Sequence, residues 1–312
     1  MKLAKCKQRI AGHLYAVTTL GLRGHLAKMD SSRRKSKRVG RVFLVVMLGS
    51  GVLGHAAAED KNKKSAKPAA AVNATALTVK LKSGDPAVIQ SALSEAKSAG
   101  KGAEAVAPAV HELLRQGTSV DLATLALATL GQIGARASTP SIQPYAHHRN
   151  AELRKSALAA LGRTGGAGVV ATLREALSDP DPGVRGIAAS GLGAQKGREA
   201  IGDLFIALDH QVSEAAASIG QLCVKDECEK FVGRTGAIGL DVMTSGFDQI
   251  LFRPASEIAD DDKVKVVGRV RDLLTQEAAN YLRDLQSRWP KDGSVRVKQA
   301  IDQAVTATAG IK

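Results

Sequence analysis

The sequence predicts an all-α solenoid of stacked two-helix units, and three observations predict it. Between residues 120 and 210 one helical pattern is written three times at a constant offset of 31 residues. Leu122, Ala126, Leu130 and Gly131 return as Leu153, Ala157, Leu161 and Gly162, and again as Val184, Ala188, Leu192 and Gly193. A second series keeps that offset, with Ile142, Leu173 and Leu204 each followed four residues later by Ala146, Leu177 and Leu208. Aromatics are only 3% of the chain against 31 glycines, which suits helices packed closely through small side chains and leaves few large anchors for a conventional core. Strand signals are almost absent.

Offsets of four and eight put Leu122, Ala126 and Leu130 on one helical face, and the glycine after the last leucine is expected to end the helix in a left-handed conformation. Such a pair cannot bury its apolar stripe alone, so copies of about 31 residues must stack on one another. A weaker unit comes first. Asp85-Pro86 starts a helix through Ala92 and Ala96, and Val106, Val110 and Leu113 mark a second helix that tolerates Pro108 in its first turn. After the strict copies, residues 215–222 continue another first helix, with Leu222 placed 30 residues beyond Leu192 and Phe231 placed 30 beyond Ile201. The array is therefore assigned to residues 85–240. Beyond it, Val264, Val267, Val270, Leu274, Leu282 and Leu285 predict one longer helix ended by Trp289-Pro290, and residues 295–305 predict a last one. Residues 241–312 read as a helical C-terminal cap, with Trp289 packed over the end of the array.

The net charge of +14 resembles that of a nucleic-acid binder until it is placed along the chain. Residues 1–58 hold 12 lysines and arginines against the single acid Asp30, whereas residues 85–312 hold 26 bases and 27 acids. The repeat region is close to neutral, which argues against a nucleic-acid partner. Within residues 29–58 the order is that of a secretory signal peptide: basic Arg33-Arg34-Lys35-Ser36-Lys37-Arg38, an apolar run over residues 42–54, then Ala56-Ala57-Ala58. Thirteen mostly apolar residues are too few for an ordinary membrane span, which needs about 20. Cleavage is expected between Ala58 and Glu59, giving a periplasmic or secreted protein with no stable span. An uncleaved anchor is the alternative. Ser32-Arg33-Arg34 invites a twin-arginine signal, but Ser36 and Lys37 stand where that signal has apolar residues, so the general secretory route is expected. Translation is expected to start at Met29, with residues 1–28 belonging to a wrongly assigned upstream start. Residues 59–84, with Lys61, Lys63, Lys64 and Lys67, show no amphipathic period and read as a linker.

Asp179-Pro180-Asp181-Pro182-Gly183-Val184-Arg185 with Ala188, Leu192 and Gly193, and Leu153-Arg154 with Ala157, Leu161 and Gly162, make the units resemble short HEAT-type repeats of the phycobilisome-lyase kind. The resemblance implies a right-handed α-solenoid used as a protein-binding surface. It does not imply bilin attachment, because only the repeat motif is shared. The first strict unit departs from the pattern, with Ala123 where its successors have Arg154 and Arg185, so any ladder of Asp-to-Arg contacts is incomplete there. Arg154 and Arg185 are expected to brace neighbouring units. Asp181 is expected to cap the helix that follows and to pair with Arg185.

Candidate chemistry is sparse. Cys223 and Cys228, five apart, suggest a structural disulfide if the chain turns between them, since a continuous helix would hold them about 8 to 9 Å apart. Two free thiols, or redox or metal chemistry, are the other states the spacing allows. Only His111-Glu112 has the His-Glu form of helical-repeat di-iron hydroxylases, and the adjacent His147 and His148 diverge on a helix, so no metal is expected. Gly191-Leu192-Gly193 with Gly197 lacks the preceding strand of a nucleotide loop, no Gly-x-Ser-x-Gly elbow occurs, and no cofactor is expected. The leading expectation is an exported, non-catalytic platform or assembly scaffold for a protein or peptide, its second helices lining a concave face that presents Gln143, Arg174 and Asp203. The alternatives are an accessory subunit of an envelope enzyme and a membrane-tethered structural protein.

Overall fold

A computed structural model describes residues 72–311. The expectations for a start at Met29, a signal over residues 29–58 and a junction at Ala58 and Glu59 lie outside the described residues. The described chain is helical throughout, its only β-type pairing being an isolated bridge between Thr235 and Ile238. The helices are α1 (Ala74–Leu81), α2 (Pro86–Ala99), α3 (Ala107–Gln116), α4 (Val120–Ile133), α5 (Thr139–Ile142), α6 (Ala151–Thr164), α7 (Val169–Ala176) and α8 (Pro182–Ala194). They continue as α9 (Ile201–Asp209), α10 (Glu214–Leu222), α11 (Lys225–Val232), α12 (Leu240–Leu251), α13 (Asp260–Arg271), α14 (Gln276–Arg288) and α15 (Val295–Thr308).

Helices α2, α4, α6, α8, α10 and α12 pack each on the one before as a continuous layer, and α3, α7 and α9 each lie against the first helix that follows them. The period is set at the helix starts. Ser119, Asn150 and Asp181 stand 31 residues apart, and each accepts a hydrogen bond from a backbone N–H of the turn it opens: Leu122, Glu152 and Val184. The second helices are less regular, because Pro140 and Pro144 reduce α5 to four residues flanked by 3-10 turns. All fifteen apolar residues of the two repeating series are buried, from Leu122 to Leu208. A fully buried leucine contributes about 1.5 to 3 kcal/mol, so the stacked layers hold one another in place.

Several expectations are corrected. Gly131, Gly162 and Gly193 lie inside their helices and are not left-handed; Gly134 and Gly165 carry the positive φ that closes α4 and α6. The repeating glycine instead allows close approach. A Cβ at Gly131 would meet Ala160 Cα at 2.8 Å, and one at Gly162 would meet Gly191 Cα at 3.2 Å. The linker reading fails over its last residues, where Asn73 caps α1 and Leu77 and Leu81 are buried against α2 and α3. The long helix expected through Leu274 is two, α13 and α14, because Leu274 takes φ +52° and stands exposed between them. In the C-terminal segment α12 extends the first-helix layer and α15 packs on α13, while Trp289 is partly buried, with its ring 5.6 Å from that of Phe252.

Cys223 and Cys228 are bonded through sulfur, with Cα atoms 5.1 Å apart. The chain turns at extended Val224 and at Lys225, φ +30°, so that Cys223 ends α10 and Cys228 enters the first turns of α11. Closing so short a loop is worth about 2 kcal/mol on the chain-entropy model. Reduction is expected to lower the thermal midpoint by several degrees, read by circular dichroism with and without a phosphine reductant; an unchanged midpoint would show that the bond carries no stability.

No helix among the described residues is long and apolar enough to cross a membrane.

Candidate functional site

The 31-residue period builds a groove along the second-helix side of the array. It has three adjoining cells, one at each junction between consecutive units. The first is bounded by α3, α4 and α5, the second by the turn before α6 and by α7, and the third by the turn before α8 and by α9. Equivalent positions recur in all three: Ala123, Arg154 and Arg185 on the first helices; His148, Asp179 and His210 in the turns that lead into the next unit; Pro144, Glu175 and Ile206 on the rim. The cells measure about 850, 390 and 560 Å³. The smallest of them is the one that holds both an arginine and an aspartate at the first two positions.

In the second cell the pair is complete. Arg154 Nε and Nη2 donate to the two carboxylate oxygens of Asp179 at 2.7 and 2.8 Å, and Nη1 donates to the carbonyls of His148 and Arg149 at 2.9 and 3.2 Å. Burial pushes the Asp179 carboxyl up, but hydrogen bonds from Arg154 and from the Asp181 N–H outweigh it and leave the group below its ordinary value. The third cell keeps only half of this. Arg185 Nη1 donates to the carbonyls of Asp179 and Pro180 at 2.8 and 3.1 Å, repeating the backbone contacts one unit on. The position that should supply its carboxylate is His210, and among the described residues no acid pairs with Arg185.

The first cell lacks the arginine altogether. With Ala123 there, the Gly117 and Thr118 carbonyls, which correspond to the pairs bound by Arg154 and Arg185, receive no protein donor among the described residues. Its walls are otherwise engaged: Tyr145 Oη donates to the Leu114 carbonyl at 2.9 Å, and its ring stacks 6.2 Å from that of His148. His111 Nε2 lies 2.9 Å from Ser138 Oγ, and burial lowers its pKa. Hydrogen bonds from Arg115 and Gln116 hold Glu112 at a pKa of about 2.

Gln143, Arg174 and Asp203 do not converge on one open site. Gln143 Nε2 donates to Thr172 Oγ1 at 3.1 Å and Arg174 Nε donates to Asp203 Oδ2 at 2.7 Å, the same inter-helix brace repeated one unit later. Arg174 and Asp203 line the third cell while neutralising each other. Asp181 caps α8 through the Val184 N–H, but its expected pairing with Arg185 is absent: Lys155 Nζ takes the carboxylate at 3.4 Å, because the Arg185 guanidinium reaches back to the loop carbonyls. Arg154 links the turn before α6, through the His148 and Arg149 carbonyls, to the turn before α8, through Asp179. His210 and Ile206 escaped the sequence reading, although a step of 31 from Asp179 lands on His210 and exposes the missing acid. His148 lines the first two cells, and His147 lines the second, where its Nδ1 lies 3.9 Å from Glu175 Oε1.

HEAT repeats are matched over residues 107–193 and 139–222. No curated protein matches the chain. Among solved structures, the complex of CpcE and CpcF of phycocyanin lyase from Nostoc sp. PCC7120 is similar at 16% identity, covering 79% of this chain and 98% of that one, with a TM-score of 0.46. Human deoxyhypusine hydroxylase, in complex with glycerol, is similar at 12% identity over 76% of this chain and 96% of that one, TM-score 0.35. A designed armadillo repeat protein in complex with the peptide (KR)4 is similar at 14% identity over 76% of this chain and all of that one, TM-score 0.33. The period, the two helical layers and the matched segments agree: residues 107–222 of the chain are an array of HEAT repeats.

Proposed function

We propose that this protein is an exported, non-catalytic platform that holds a protein or peptide along the second-helix groove. The observation that carries the reading is the groove itself: three adjoining cells in one register, the outer two left open where the repeat's own arginine–aspartate pair is incomplete. A surface built on packed helices loses little ordering entropy when it binds, which favours recognition of an extended segment. Export is supported by the basic, apolar and small-residue order of residues 33–58, and the Cys223–Cys228 bond suits an oxidising compartment.

A photo-crosslinking residue placed at Pro144 or Ile206, in the open cells, is expected to trap the same protein in the source cell. Placed at Ser98 or Gln299, exposed positions outside the groove, it is expected to trap none. Adducts spread equally over all four positions would remove the groove from the reading. The trapped chain is expected to begin at Glu59; a chain that keeps residues 42–54 would replace export by tethering.

A further inference from the structure

We propose that the third cell receives a carboxylate side chain from an acidic segment of the partner protein, bound through the guanidinium of Arg185. The proposal rests on the platform reading and names its recognition chemistry. The argument is internal to the repeat. In the second cell, Arg154 spends Nη1 on two loop carbonyls and presents Nε and Nη2 to the Asp179 carboxylate. Arg185 spends Nη1 on the equivalent carbonyls, which anchors the guanidinium in the same way. Its remaining edge faces a cell of about 560 Å³ where the equivalent of Asp179 is His210. A carboxylate from outside would complete the missing pair.

The surrounding charge agrees. Around the cell, Arg174 is neutralised by Asp203 and Asp179 by Arg154, which leaves Arg185 as the unbalanced charge. A planar guanidinium already fixed at one nitrogen loses little freedom on forming a two-point contact with a carboxylate. Leu177, Ile206 and Val212 supply apolar wall for the methylenes of an incoming aspartate or glutamate, and Ile206 is 59% exposed. The first cell does not compete for the same group. It lacks the anchored arginine: its Arg115 already holds Glu112, and the Arg149 that also lines it is fixed by no side-chain hydrogen bond among the described residues, unlike Arg185.

The test uses the full chain with 15N-labelled arginine, and follows the Arg185 Nε–Hε signal while a doubly capped tetra-aspartate peptide is titrated in. The signal is assigned through Arg185→Lys. A saturable shift is expected with tetra-aspartate and none with capped tetra-asparagine. His210→Asp places an acid at the repeat's own position, so it is expected to close the cell from within, weakening the peptide about tenfold or more while the chain stays folded. The proposal is overturned if Arg185 moves no more than exposed Arg269, or if His210→Asp leaves the titration unchanged. Groove adducts without a tetra-aspartate response would sink this proposal and leave the platform standing. A tetra-aspartate response with no groove adducts would sink the platform, and with it the assignment of the cell to a partner protein.

Discussion

Replacing Gly246 by valine is expected to lower unfolding stability by about 3 kcal/mol, the upper end of ordinary overpacking costs. Helices α10 and α12 approach through Gly220 and Gly246 until backbone meets backbone. A Cβ at Gly246 would lie 2.5 Å from the Ala216 carbonyl oxygen and 2.7 Å from Phe231 Cε1. Neither neighbour has room to retreat, because Ala216 is inside α10 and Phe231 is fully buried edge-on to Phe247, with ring centroids 5.6 Å apart. Coupling between units in a stacked array passes only through such contacts, so the segment beyond α10 is expected to open first. Denaturant unfolding followed by circular dichroism reads the loss, and amide exchange in α12 to α15 reads its location. Gly268→Ala is the contrast. Gly268 lies in α13, and a Cβ added there would meet nothing within 4 Å, so alanine is expected to stabilise by about 0.5 to 1 kcal/mol. Equal effects at the two positions would show that helical propensity, not close approach, governs these glycines.

Asp179→Ala is expected to cost about 3 kcal/mol. The side chains of Arg154 and Asp179 are only 13% and 11% exposed, so removing the acid strands a guanidinium in the junction between two units. It also frees the Asp181 N–H, which donates to Asp179 at 2.9 Å just before α8. The pH dependence has a definite sign. The folded carboxyl titrates below its unfolded value of about 4, so the pair contributes its stability above that pH and loses it as pH falls through the folded value. Asp179→Asn is expected to match the alanine variant at pH 7 within about 1 kcal/mol and to show a shallower loss of stability below about pH 4. Thermal midpoints from pH 7 down to pH 3 decide it. Parallel curves for wild type and Asp179→Asn would mean that the pair does not drive the acid response.

The register of the groove is legible in the amino-acid sequence. Ala123, Arg154 and Arg185 fall 31 apart, and the gap at Ala123 is visible there. The matching gap is hidden, because Asp179 reads locally as part of an Asp-Pro turn, and only its bond to Arg154 reveals that position 179, and hence 210, belongs to the same ladder. Spacing places Gln143, Arg174 and Asp203 correctly on the second-helix side, but as residues free to bind. Helix–helix proximity turns them into braces, a property of pairs from different units that no single helix displays.

Spacing along the chain is enough to specify the helical class, the 31-residue unit and the apolar faces, because these follow from the geometry of one helix and repeat too regularly to be accidental. Packing between units decides the rest. It turns the repeating glycines from helix ends into points of close contact, since how near two helices come depends on both surfaces. It makes α1 part of the fold, since a short helix persists only where a neighbour covers Leu77 and Leu81. It breaks the long C-terminal helix at Leu274, where an exposed left-handed residue separates the packing of α13 from that of α14. And it fixes which arginines are satisfied and which is not, because a charge is paired or unpaired only by what the next unit brings to it.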